Sequence, residues 1–223
     1  MVARTSRSAL RPDPVQVPAG VIVLEGDLAV PPGAHGVVLF AHGSGSGRHS
    51  PRNRAVATAL NDRGFATLLL DLLTQQEEVV DDRTAHIRFD IPLLAGRLAY
   101  AAEWLGTQMT TRTLPLGLFG ASTGAGAALI TAAQKPDMVK AVVSRGGRPD
   151  LAHEHLPRVK CPTLLIIGGR DEPVIELNEQ ARAQMTAPVT MEIVAGATHL
   201  FEEPGTLEKV AELAANWFDQ WLR

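Results

Sequence analysis

Gly120-Ala121-Ser122-Thr123-Gly124 stands between an apolar run over 114–119 and a small-residue stretch over 125–133. The segment predicts a strand, a sharp turn carrying a serine, and then a helix. In such a turn the serine's backbone is strained and its neighbours must be nearly free of side chain. Gly120 and Gly124 supply that clearance, and Gly126 lets the helix pack closely. The turn would lift the Ser122 hydroxyl above the carboxyl edge of a sheet, at the N-terminus of the following helix. A chain rich in Gly and Ala also yields such pentapeptides by chance, so the weight falls on the order of the other parts.

The rest of the chain alternates as that turn requires. Residues 15–17 and 21–30 predict opening strands, broken by Pro18 and Gly20 and stopped by Pro31-Pro32-Gly33. Gly36–Ala41, with Val37, Val38, Leu39 and Phe40, suits a strand covered on both faces. A helix over 51–63 follows, with Val56, Ala59 and Leu60 on one side and Gly64 to end it. Next come strand Phe65–Leu70, helix Ile91–Leu105, strand 114–119, helix 124–133, and strands 140–144 and 161–167. Helix 174–185, strand Val189–Val194 and helix Thr206–Trp221 complete the chain. Buried strands alternating with amphipathic helices predict an α/β fold, a mostly parallel doubly wound sheet flanked by helices. Such sheets bind ligands beyond the carboxyl ends of their strands.

The 223 residues suffice for one full core, and two domains would be cramped. We expect a single domain over 15–223 behind a flexible basic tail over 1–14. A net charge of −3 gives no electrostatic case for nucleic acid or an anionic membrane as the main partner. The single Cys161 excludes an internal disulfide and a cysteine-based zinc cluster, and its place at the head of an apolar strand predicts a buried, inert thiol. No apolar run is long enough to span a bilayer. Arg4, Arg7 and Arg11 are not followed by a hydrophobic stretch, so the start does not read as a secretory signal; a transit peptide is the alternative to a tail. A cytoplasmic protein is expected.

A serine hydroxyl is a poor nucleophile until a base takes its proton, and the base needs a third group to fix its tautomer. In enzymes built on this elbow the order is serine, acid, histidine. Asp171 follows strand 161–167 in Gly168-Gly169-Arg170-Asp171-Glu172-Pro173, and His199 follows the last strand in Ala197-Thr198-His199-Leu200-Phe201. Both fall in loops at the edge that carries Ser122. Taken alone, Asp171 could equally be a helix N-cap and His199 a surface histidine. Type, order and placement together make Ser122, His199 and Asp171 the candidate triad, with Asp150 and Glu172 as fallback acids. Acyl transfer also needs donors for an oxyanion. The N–H of Thr123, directly after the nucleophile, is one candidate. The N–H of Ser44 in His42-Gly43-Ser44-Gly45-Ser46-Gly47 is the other, with His42 as a structural partner of that loop. A phosphate-cradling loop competes there but lacks the Gly-Lys-Ser/Thr ending of a nucleotide site.

With those residues in place, the chain resembles an α/β-hydrolase from about residue 20 onward. Its HGSGSGRHSPRN loop and GASTG elbow are similar to the dienelactone hydrolase-like branch. The resemblance implies an eight-stranded sheet, a Ser122–His199–Asp171 triad and no cofactor. Dienelactone hydrolases proper carry cysteine in the elbow, whereas this chain has Ser122, which favours plainer ester chemistry.

Only residues 145–160 join the strand after the elbow helix to the next one, too few for a large cap, so an open, shallow site is expected. Residues 71–89, with mixed charges, predict a solvated loop or a partial rim. Arg145 and Arg148 leave a strand at the catalytic edge and could clamp a substrate carboxylate; pairing with Asp150 or Glu154 is the alternative. The expected activity is cleavage of a small-molecule carboxylic ester or related acyl bond through an acyl-serine. Thioesterase, amidase or peptidase, and true dienelactone hydrolase are alternatives on the same triad. A hydrolase-fold binding protein with incidental turnover is the alternative from another class. The size of the fold is compatible with a homodimer.

Overall fold

The computed structural model describes residues 10–222. Of the expected tail, residues 1–9 lie outside the described residues, while Asp13 and Pro14 already belong to a strand. β1 (Asp13–Ala19) and β2 (Ile22–Ala29) form a hairpin in which Ala19 faces Ile22, leaving Gly20 and Val21 to turn the chain. A two-residue connection joins only antiparallel neighbours, and β2 also runs antiparallel to β4 (Phe65–Leu70). The sheet is mixed at this edge for that reason. The other strands run parallel: β3 (Gly36–Ala41), β4, β5 (Leu116–Ala121), β6 (Val139–Arg145), β7 (Thr163–Gly168) and β8 (Val189–Val194). The strand order is β1-β2-β4-β3-β5-β6-β7-β8.

Alternate side chains of these strands feed two cores. On one face, Phe40, Phe65 and Phe119 pack with α1 (Pro51–Asp62) and with Phe218 of α6 (Thr206–Trp221). On the other, Leu39, Leu68 and Leu118 meet α3 (Ile91–Leu105) and α4 (Thr123–Gln134). From β3 the chain crosses through α1 to β4 on one side; after β4 it returns through α3 to β5 on the other. The winding thus reverses between β3 and β5, where Ala41 and Gly120 are register partners. A doubly wound sheet opens its binding crevice at such a reversal. The loop after β3 and the serine after β5 both face it.

α4 is buried on all sides through Ala133, which explains its run of small residues. A Cβ added at Gly124 would lie 2.5 Å from the His42 carbonyl oxygen and closer still to that of Ala41. Both obstacles are main chain and cannot rotate away. Gly124→Ala is therefore expected to cost more than about 4 kcal/mol, lowering the melting temperature by about 10 °C or more, as read by calorimetry.

Residues 71–89 differ from the solvated loop expected. They hold α2 (Gln75–Thr84) and a 3₁₀ turn, Ile87–Phe89. α2 has no apolar stripe; Val79 and Val80 are exposed. Polar bonds at its ends fix it instead. The Thr74 side chain accepts the Glu77 N–H, and the Glu77 carboxylate takes the Thr74 N–H at 2.8 Å. Buried Arg97 of α3 donates to Glu77 and to the Leu72 carbonyl. At the far end, the Asp81 carboxylate accepts the N–H groups of Ile87 and Arg88 and the Arg88 guanidinium. Between β6 and β7 lies one kinked 3₁₀ segment, Pro149–Arg158, and no cap domain. Helix α5 (Glu172–Arg182) follows β7. Among the described residues no helix is long and apolar enough to cross a membrane.

Candidate active site

Ser122 sits between β5 and α4 with φ 50° and ψ −122°, a conformation that strains any residue with a side chain. Main-chain bonds hold it there: its N–H donates to the Arg145 carbonyl at 3.2 Å, and its carbonyl accepts the Arg148 N–H at 3.0 Å and the Ala125 N–H at 3.1 Å. The Arg145-Gly146-Gly147-Arg148 loop thus braces the elbow through its backbone, a role the sequence did not disclose.

The three candidate triad residues meet. Ser122 Oγ lies 3.2 Å from His199 Nε2, and His199 Nδ1 lies 2.6 Å from Asp171 Oδ2. A carboxylate only accepts, so Nδ1 carries the proton and Nε2 is left to accept from the serine. Asp171 is the N-cap residue of α5 yet makes no side-chain capping bond; its carboxylate turns to the histidine. The fallback acids lie elsewhere, Asp150 in a two-bond pair with Arg148 and Glu172 in the first turn of α5. Glu203, not singled out from sequence, accepts the Thr198 N–H at 3.1 Å and so ties down the loop that carries His199.

Of the two oxyanion candidates, Thr123 is the first residue of α4, so its N–H has no carbonyl one turn back to bond within the helix. The Ser44 N–H donates to the Thr123 hydroxyl at 3.0 Å. The loop that carries Ser44 is pinned at both ends. Asp71, at the end of β4, accepts the Arg48 N–H at 2.6 Å and pairs with the Arg48 guanidinium. His42 Nδ1 donates to the Gly43 carbonyl while Nε2 accepts the Leu72 N–H, both at 2.9 Å.

Burial holds the His42 pKa below its ordinary 6.5, against the pull of the Gly43 bond and Asp71. Below pH 6.5 the unfolded histidine takes up a proton that buried His42 refuses, so stability falls as pH falls from that value toward the folded pKa. The slope from this group approaches about 1.4 kcal/mol per pH unit. Chemical denaturation at pH 8 and pH 5.5 should show wild type losing more stability than His42→Gln.

A cleft of about 810 Å³ adjoins this loop, lined by His42, Gly43, Ser44, Arg48, Arg52, Asp71, Gln75, Glu78 and Arg88 among others. Gly43 brings the cleft wall up to Ser122, since a Cβ there would be 3.0 Å from that of Ser122. α2 forms a wall of this cleft through Gln75, Glu78, Asp81 and Asp82. The two arginines offered as a clamp part company. Arg148 directs both arms of its fork to Asp150, at 2.9 and 2.8 Å, the alternative weighed above. Arg145 is buried against Asn53 and Phe201 and has no carboxylate partner among the described residues.

A serine at a sheet reversal, hydrogen-bonded to a histidine that an acid orients, on an eight-stranded sheet, defines the class. The chain belongs to the α/β-hydrolase family, whose domain profile ("Alpha/beta hydrolase domain") matches residues 34–215, and within it to the dienelactone hydrolase-like branch. It is similar to a dienelactone hydrolase from Anabaena variabilis, with 56% identity and a TM-score of 0.95 over 97% of this chain and 100% of that one. An esterase domain from Rhodothermus marinus shares the fold at 20% identity, with a TM-score of 0.75 over 95% of this chain and 99% of that one. Among curated proteins, putative phosphoribosyl transferases of two Mycobacterium tuberculosis strains are 58% identical over 209 residues, 94% of this chain but 46% of theirs. This chain spans about half the length of those relatives.

Proposed function

We propose that this protein hydrolyses a small-molecule carboxylic ester, or a related acyl bond, through a covalent acyl-Ser122 intermediate. The observation that carries the reading is the unbroken line from Ser122 Oγ through the His199 ring to Asp171, at 3.2 and 2.6 Å. His199 Nε2 takes the serine proton as Oγ attacks the carbonyl carbon, and the resulting imidazolium is balanced by Asp171. The tetrahedral oxyanion draws on the Thr123 N–H and the Ser44 N–H, the latter shared with or released from the Thr123 hydroxyl as charge builds. His199 then protonates the departing alcohol, and the same ring activates water for deacylation. Every proton transfer is handled by these side chains, so the chemistry calls for no cofactor.

Likeness to the Anabaena dienelactone hydrolase supports hydrolysis, and the serine in the elbow favours ordinary esters over dienelactones. Thioester and amide cleavage would use the same groups. The transferase name belongs to proteins about twice as long as this chain, and a hydrolase domain covers the matched part. The test is labelling with a fluorophosphonate probe, wild type against Ser122→Ala, followed by a panel of acyl p-nitrophenyl esters. Labelling of wild type alone with multiple turnovers is expected. Equal labelling of both rejects Ser122 as nucleophile, and a single burst leaving a stable acyl-enzyme points to a binding protein instead.

A further inference from the structure

Helix α5, capped by Asp171, turns Val174, Asn178 and Ala181 inward. Asn178 lies two helical turns beyond Asp171, on the same face, and is 0% exposed. Its Nδ2 donates to the Val174 carbonyl one turn back at 2.7 Å and to the Gly147 carbonyl at 2.9 Å. Two carbonyls around one nitrogen fix which way the amide points. Its Oδ1 is left buried without a partner. A leucine there would fill the space without desolvating an amide, so packing alone does not account for an asparagine at this position.

The carbonyl it holds belongs to the loop that braces the elbow. Arg145 and Arg148, on either side of Gly146-Gly147, bond the main chain of Ser122. Gly146, at φ 49°, lies against His199: a Cβ there would be 2.9 Å from the His199 carbonyl oxygen and 3.6 Å from its Nδ1. The loop is also wedged against α4, where a Cβ on Gly147 would be 2.6 Å from that of Ala125. Among the described residues, the Asn178 amide makes the one hydrogen bond between α5 and residues 145–148. We infer that Asn178 is a positioning residue for the triad. Through the Gly147 carbonyl it sets how far the acid at the head of α5 stands from Ser122 and His199. Contacts of 2.6 and 3.2 Å in series tolerate little drift, since a misplacement of about 1 Å costs about 10²-fold in rate. This deepens the hydrolase reading and rests on it for the roles of Ser122, His199 and Asp171.

The test compares wild type with two variants. Asn178→Leu keeps the branched shape but donates nothing. In Asn178→Ser the hydroxyl can bond back to the Val174 carbonyl but is too short to hold Gly147 as well. Both should lose about 10- to 100-fold in kcat on a p-nitrophenyl ester, with KM little changed. Proton NMR supplies a reading that needs no turnover. The His199 Nδ1 proton, held in a 2.6 Å bond to Asp171, should resonate far downfield in wild type. In both variants that signal should move upfield or broaden through exchange. A purely structural asparagine would lower the melting temperature and leave kcat and the resonance as in wild type, which overturns the proposal. An unmoved resonance in the variants overturns it whatever the rates. If Asn178→Leu does not fold, Asn178→Ser decides by the same two readings. A displaced resonance, in a protein whose Ser122→Ala form keeps its turnover, leaves the positioning of acid and base standing and removes the serine-nucleophile reading.

Discussion

Ser122→Ala should lower kcat on a p-nitrophenyl ester by a factor of about 10⁵ to 10⁶, with the melting temperature little changed. The hydroxyl's hydrogen bond is to His199, so its removal leaves no buried group unpaired inside the core. The main-chain bonds to Arg145 and Arg148 that hold the elbow do not involve the side chain. Alanine also has the same Cβ as serine at φ 50°, so it neither relieves nor adds backbone strain. What survives should be the modest rate that binding and the oxyanion donors supply. A variant that keeps more than a few per cent of wild-type turnover would show that another group attacks the carbonyl.

Asp171→Asn should cost about 10⁴ in kcat at neutral pH, the loss seen for the corresponding change in a serine protease triad. The reason is orientation of a proton. The carboxylate accepts from Nδ1 at 2.6 Å and so leaves Nε2 bare for the serine. An asparagine amide can donate to Nδ1 instead, which moves the ring proton to Nε2 and blocks the base. The main chain around Asp171 is fixed independently, by Arg170 N–H to the Ala197 carbonyl and Asp171 N–H to the Gly168 carbonyl, so the fold should hold. Steady-state kinetics beside a circular-dichroism melt checks both halves. A loss below tenfold would assign the orienting role to another acid.

The three residues that meet as the candidate triad could be picked out because they sit in short local patterns that occur in a fixed order. Strands covered on both faces read as apolar runs, and the loops at their carboxyl ends hold the residues that cannot be explained by packing. Asp171 was open to a capping role on sequence alone; only the empty cap and the 2.6 Å contact separate the two. Helix α2 was not legible by periodicity, since Val79 and Val80 face solvent and its stability comes from polar bonds at both ends. Thr74-Gln75-Gln76-Glu77 is a capping-box pattern, the one local clue to it. Arg148 pairs two residues away, but nothing in the spacing separates that bond from a reach toward substrate. The antiparallel placement of β2 beside β4 follows from pairing across a long separation, which no local pattern encodes.

The unfavourable φ and ψ at Ser122 bear on how this protein would respond to selection in the laboratory. A screen that rewards heat tolerance alone would favour any residue or neighbouring change that lets this one dihedral pair relax. Each such gain would also turn the hydroxyl away from its partner, so rigidity and turnover would pull in opposite directions at a single position.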